Sequence, residues 1–288
     1  MPDLIARITA ALAEVNGPPW FPDLTEALVQ AKWQELTRAT GLSPLDYRTS
    51  RVLSADRNVP VDVVTHIPIL LDGCEESIVA IESITGERLR QYESEGIKFY
   101  DAEEMARTSV VGCVKDAITI LRLVPSLQCS VAKLVRALHI IKPENEDYDI
   151  SFSEPHIPFS IFVSVPERRV QMDALRVAEA IVHEAMHLQL TLIEQVVPLD
   201  DSKAGLYFSP WRGEYRTAQG VLHALYVFRV IDSFLQELMS KDSLPIESLD
   251  YIKKRRSRIV GQICEIDTFK HCSDLSSSGA NLVSRLLC

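Results

Sequence analysis

The stretch from Met172 to Val197 constrains this chain more than any other. Read at 3.6 residues per turn it is apolar almost all the way round, and such a helix belongs at the centre of a fold, covered on most sides. One polar line interrupts it. Arg176, Glu179, His183, His187, Thr191 and Glu194 fall within about 60° of a single direction at 100° per residue. A buried polar line has to be satisfied, and this one carries His183-Glu184-Ala185-Met186-His187, an HExxH sequence. Histidines at i and i+4 share a helix face and can bind one metal ion together. On spacing alone, two helix histidines paired with carboxylates give the same pattern. Arg176, Glu179 and Glu194 read equally well as a salt-bridge ladder.

Around this helix the periodicity predicts a helical first part. Helical spacing covers 4–15, 23–39, 75–93, 101–123 and 128–141, each stretch ending near Gly, Pro or a polar cluster. The texture changes after Lys142. Tyr148 to Ser153 and Phe159 to Val165 concentrate β-branched and aromatic residues and read as a hairpin or two neighbouring strands, with Pro155, Pro158 and Pro166 favouring an edge position. Pro198 stops the central helix. A loop through Pro210-Trp211-Arg212-Gly213 leads to a helix over Thr217 to Met239, and a last helical stretch follows Pro245. The expected fold is mainly α (α+β): a helical scaffold with a small antiparallel sheet or hairpin packed beside the central HExxH helix. Without repeats or long linkers, 1–288 reads as one metalloenzyme domain, with scaffold at 1–142, the metal-site core at 143–240 and a helical part at 241–288.

Composition narrows the partners. Thirty basic against forty acidic side chains give a formal charge of -10, which disfavours nucleic acid and anionic membranes. The basic run Lys253-Lys254-Arg255-Arg256-Ser257-Arg258 reads as a solvated helix face. No apolar run approaches a membrane span. Met1-Pro2-Asp3 lacks the basic start of a signal sequence, and the six cysteines are scattered without a CxxC pair. These features point to a cytoplasmic, reduced protein.

A catalytic metal needs a third protein ligand and open positions. Glu194, Asp200, Glu214 and His223 are the downstream candidates. Glu194 lies nearly two turns beyond His187 on the same helix. His223 is better placed, on a helix where Arg216, Gln219, His223 and Tyr226 share one face, and Glu214 is the alternative. Two chemistries fit. With zinc, Glu184 serves as general base in a metallopeptidase. With iron(II), three protein ligands leave room for oxygen and a bidentate 2-oxo acid, whose far carboxylate calls for an arginine such as Arg212 or Arg216.

Four segments together resemble a known group. They are Ala178 to His187, Val197-Pro198-Leu199, Tyr207-Phe208-Ser209-Pro210-Trp211-Arg212, and Gly220-Val221-Leu222-His223-Ala224-Leu225-Tyr226. They look like the HExxH-motif proteins of modified-peptide (natural-product) biosynthesis, regarded as iron(II)- and 2-oxoglutarate-dependent peptide β-hydroxylases. The likeness covers about residues 147–240. It implies His183, His187 and His223 as metal ligands and Arg212 or Arg216 as the carboxylate clamp. The chain departs from the family pattern at Gly213 to Thr217, which leaves Arg212 the firmer match.

The expectation is therefore a dioxygenase using Fe(II) with 2-oxoglutarate as co-substrate. It would hydroxylate an unactivated C–H, at the β-carbon by the resemblance, of a peptide residue or of a free or carrier-bound amino acid. Glu184 would orient a ligand or bound water. The strand Phe159 to Val165 could accept a peptide by strand addition or simply pack beside the helix. The alternatives are a Zn(II) peptidase with Glu184 as its catalytic base, and a non-catalytic metal-binding protein.

Overall fold

The computed structural model describes residues 2–40, 61–69, 77–145, 150–155, 157–167, 172–201, 204–241 and 245–288. Its chain is mainly α with α+β character, and it divides into two compact units: 29–188, and 1–28 together with 189–288. Among the described residues no helix is long and apolar enough to cross a membrane.

The unit 29–188 is built on a five-stranded mixed sheet. Its strands are β1 (Val61–Ile69), β2 (Ser77–Ile84), β3 (Ala137–Ile141), β4 (Ser151–Phe152) and β5 (Ser160–Ser164), in the order β1-β2-β3-β5-β4. The β1/β2 and β4/β5 pairs are antiparallel, whereas β2/β3 and β3/β5 are parallel. Between β2 and β3 run α3 (Gly86–Ser94), α4 (Ala102–Arg107), α5 (Val110–Leu121) and α6 (Pro125–Leu134). The helix α2 (Pro22–Thr40) and the HExxH helix α7 (Asp173–Glu194) each contribute residues to both units.

The expected β4/β5 hairpin exists, with Phe152 opposite Phe162, but it belongs to this larger sheet. Tyr148 and Asp149 lie outside the described residues. Phe159 to Val165 does not form an edge: β5 lies between β3 and β4, so it has no free side for an incoming strand. The stretch 128–141 is not one helix, because it ends in β3, a strand buried at every position. Parallel strands covered on both faces are apolar without alternation, which leaves them indistinguishable from a buried helix by pattern alone. The stretch 75–93 likewise contains β2 and then α3, separated at Gly86, whose φ of +73° favours glycine. Residues 101–123 form two helices; Asp101 caps α4 through a reciprocal box with Glu104, and α5 starts at Val110.

Tyr92, Phe99, Phe152 and Phe162 pack as an aromatic cluster on the sheet, and His139 stacks on Phe162 with ring centroids 4.6 Å apart. Glu154 closes the cluster's rim by accepting from the Tyr92 hydroxyl and from Arg88 Nη2, the latter at 2.5 Å.

The other unit gathers α1 (Pro2–Ala13), the hairpin β6 (Leu206–Ser209) and β7 (Glu214–Thr217), α8 (Ala218–Met239), α9 (Ile246–Cys264), a 3-10 turn (Asp267–His271) and α10 (Ser277–Leu287). The loop expected at 210–213 is the tip of this hairpin, a pair of strands that the sequence reading lacked. Arg285 of α10 donates to the carbonyls of Ala11, Gly17 and Pro18 and lies over the Phe21 ring, tying the two chain ends together. Gln189 donates to Trp20 O at 2.8 Å and to Thr25 Oγ1 at 2.7 Å while accepting from the Tyr226 hydroxyl. Tyr226 is therefore a buried core residue rather than part of an open polar face. In the basic run, Arg256 Nε is 2.8 Å from buried Asp232, and Arg255 lies over Phe228. Both act within the unit, while Lys253, Lys254 and Arg258 are exposed.

Candidate metal centre

No residue of α7 is exposed; its partly accessible positions are Ala174, Arg176, Ala180, His183, His187, Thr191 and Glu194. Most follow the spacing of three and four that marks one helix face. The polar line read from the sequence is thus the least covered line of the helix rather than a buried one, with Glu179 as the buried exception. Arg176 Nη1 lies 3.8 Å from Asp173, at the helix start.

His183 and His187 turn their Nε2 atoms toward each other at 3.2 Å, with ring planes at 64°. Two imidazole nitrogens at that distance form a hydrogen bond when only one carries a proton, and otherwise oppose their lone pairs. A cation bound by both removes the opposition. At a metal–nitrogen distance of roughly 2.0–2.1 Å, a 3.2 Å separation subtends about 100° at the ion, between octahedral and tetrahedral angles. The pair fits two neighbouring ligands of one metal ion.

Glu184 points elsewhere. It is 2% exposed, and its Oε1 accepts a hydrogen bond from Ser151 Oγ at 2.7 Å. Ser153 also bonds the carboxylate. Burial pushes the Glu184 carboxyl up to about 7, and the two serine hydroxyls pull the other way. The same Oε1 lies 3.8 Å from His183 Nε2, too far for a hydrogen bond. The local chain explains the arrangement: Ser151 in β4 and Ser153 just beyond it flank Phe152, which turns to the other face of the strand and stacks on Phe162 at 4.4 Å. The sequence reading missed both serines as partners of Glu184, because the contact joins distant parts of the chain, 33 residues apart for Ser151.

His223 is held within its own unit. Its Nε2 is 3.0 Å from Glu194 Oε2, which also accepts from Gln219 Nε2 at 3.0 Å. The expected shared face of Gln219 and His223 is real, and its partner is Glu194. Glu194 Oε1 is buried without a hydrogen-bond partner among the described residues. A spacing of 3.0 Å suits a carboxylate orienting a histidine, and it equally suits two adjacent ligands of an ion. Among the described residues no group of three or more His, Cys, Asp or Glu side chains is arranged to hold a metal. Two ligands fit, and the set is not closed.

The two arginines occupy the hairpin. Ser209 opposite Glu214 is the last pair before the turn, and Gly213, at φ +68°, completes it. Trp211 lies parallel to Phe228 at 5.3 Å and 3°, while Gln262 donates to Pro210 O at 3.1 Å. The tip is therefore anchored on α8 and α9. Arg212, beside Trp211, is exposed, with no ion-pair partner among the described residues. Arg216 immediately precedes Thr217, whose hydroxyl caps α8 by accepting from Gly220 N at 3.2 Å. Its Nε is 3.9 Å from Glu214. Asp200 lies in an isolated bridge with Leu275, and Glu214 is exposed on the hairpin.

A separate cleft of about 690 Å³, bordered by Tyr100, Glu104, Arg107, Lys142 and Glu167, contains none of the candidate metal-binding, catalytic or carboxylate-binding residues named from the sequence. Neither the scan against protein-family models nor the search of curated proteins finds a match to this chain. The resemblance therefore rests on the motif residues quoted above.

Proposed function

We propose that this chain is a non-haem iron(II)- and 2-oxoglutarate-dependent dioxygenase that hydroxylates an unactivated C–H of an amino-acid residue in a peptide, or of a related amino acid. The single observation that carries the reading is the 3.2 Å approach of the His183 and His187 Nε2 atoms on one helix. When bound, iron(II) supplies the redox chemistry with oxygen and the 2-oxo acid. His183 and His187 hold the ion, and His223 is the third ligand by the sequence resemblance. Arg212, exposed and with no ion-pair partner among the described residues, binds the distal carboxylate of 2-oxoglutarate, and Trp211 fixes the turn that presents it. Arg216 is the second choice, since Glu214 already stands beside it. Cys113, Cys129, Cys264, Cys272 and Cys288 form no disulfide with one another, which suits a reducing cytoplasm.

A specific observation favours a second reading, a zinc peptidase. A carboxyl raised to about 7 is poised to take a proton near neutral pH, as a hydrolytic base must. Against it, Ser151 and Ser153 engage that carboxylate from the strand side.

Anaerobic addition of iron(II) and then 2-oxoglutarate separates the two. The oxygenase develops the visible charge-transfer band of an iron-chelated 2-oxo acid, and Arg212→Ala weakens it by raising the 2-oxoglutarate concentration required. Absence of the band from protein that holds iron overturns the proposal.

A further inference from the structure

Glu184 is almost wholly buried beside His183, yet the groups that bond it are neutral hydroxyls, Ser151 of the edge strand β4 and Ser153 just beyond it. The edge strand is itself firmly held. Ile150 N donates to Ser164 Oγ at 2.9 Å and Ser164 N donates to Ile150 O at 2.8 Å, locking the residue before Ser151 onto β5. Phe152, stacked on Phe162, fixes the strand's rotation. Ser151 therefore meets Oε1 of Glu184 from a backbone that has little freedom to follow the carboxylate if it turns. That same oxygen stands 3.8 Å from His183 Nε2, the atom that would hold an ion shared with His187. A carboxylate so close to a bound cation is drawn into its coordination unless something else holds it.

We propose that Ser151 and Ser153 are positioning residues that hold the Glu184 carboxylate out of the metal's ligand set, keeping it as an orienting neighbour of His183. The assignment rests on His183 and His187 being metal ligands. It explains why Ser151 of the edge strand and Ser153 just after it both direct their hydroxyls to one buried carboxylate. It also makes the ligand set adjustable: the same helix carries a third potential ligand that two hydroxyls keep back.

Cobalt(II) titration of the full chain, followed by its visible d–d absorption, tests this. The Ser151→Ala/Ser153→Ala double variant is expected to bind cobalt(II) at least tenfold more tightly than the unsubstituted protein, with a shifted spectrum, as a carboxylate joins the ion. Ser151→Thr, which keeps the hydroxyl, retains the original spectrum. Adding Glu184→Gln to the double variant removes the shift, which a general loosening of the fold would not do. Superimposable spectra and equal affinities for the unsubstituted protein and the double variant overturn the proposal. If the unsubstituted protein binds no cobalt(II), the metal reading of the histidines fails instead. The serine–glutamate coupling is then read from urea unfolding of the metal-free protein. Ser151→Ala and Glu184→Ala should be non-additive, the pair together costing little more than Glu184→Ala alone, and additive effects overturn the positioning role.

Discussion

His223 Nε2 stands 3.0 Å from Glu194 Oε2, so the histidine singled out as a third ligand has its ring orientation set by a carboxylate. Gln219 donates to the same oxygen, which fixes the carboxylate in turn. Replacing Glu194 with Ala frees the ring. Loss of an orienting carboxylate costs roughly 10–100-fold in metal affinity, and competition titration against a chromophoric chelator measures it. His223→Ala should cost at least as much, and unchanged affinity in both variants would remove His223 from the ligand set.

Trp211 anchors the hairpin tip by stacking on Phe228. Trp211→Ala loses that stack and its apolar burial, an expected destabilisation of about 2 kcal/mol. Trp211→Phe should recover most of it. Urea unfolding reads the stability, and the 2-oxoglutarate concentration for half-maximal charge-transfer absorption should rise with the alanine variant, because Arg212 loses its fixed turn.

Arg285 joins α10 to the carbonyls of Ala11, Gly17 and Pro18. Arg285→Ala leaves these acceptors without their donor and should cost roughly 2–4 kcal/mol. Lysine cannot reproduce a planar fork that serves several carbonyls, so Arg285→Lys should restore only a small part. Chemical denaturation of the metal-free protein is the appropriate measurement.

Acid should weaken the unit 29–188 through His139. The ring is 3% exposed and burial lowers its pKa to about 4, with a hydrogen bond to the Glu82 backbone opposing the effect and the Arg88 charge adding to it. The folded form holds this histidine neutral, whereas the unfolded chain protonates it below about 6.5. The contribution is intact above that pH, is lost as pH falls from about 6.5 toward 4, and levels off below. Its size is on the order of 3 kcal/mol. Unfolding free energies measured across this range should show the slope in the unsubstituted protein and a smaller one in His139→Gln.

The sequence was most informative where one periodicity dominated. The α7 helix, from Asp173 to Glu194, and the α8 helix, from Ala218 to Met239, are long, and Thr217 caps the second as a threonine before an apolar run should. The sheet was harder because burial on both faces erases alternation: Ala137 to Ile141 is apolar throughout, like the helix before it. The hairpin at 206–217 was hidden for the opposite reason. Its strands have four residues each and are largely exposed, so they show neither an apolar face nor a length that pattern can register.

The candidate metal centre divides along similar lines. His183 and His187 sit one turn apart on a single helix, so local spacing was enough to pair them. Ser151 precedes Glu184 by 33 residues, and Glu194 precedes His223 by 29; those partnerships come from tertiary packing, which no local period encodes.

Metal stoichiometry tests the central claim most directly. Purified chain equilibrated with one divalent metal, cobalt(II) or zinc(II), and then freed of unbound ions should retain one ion per chain. His183→Ala and His187→Ala should each retain far less while unfolding at nearly the same urea concentration as the unsubstituted metal-free protein. Undiminished retention in both folded variants would contradict a metal centre at this pair and leave their 3.2 Å contact as a simple hydrogen bond between two helix histidines.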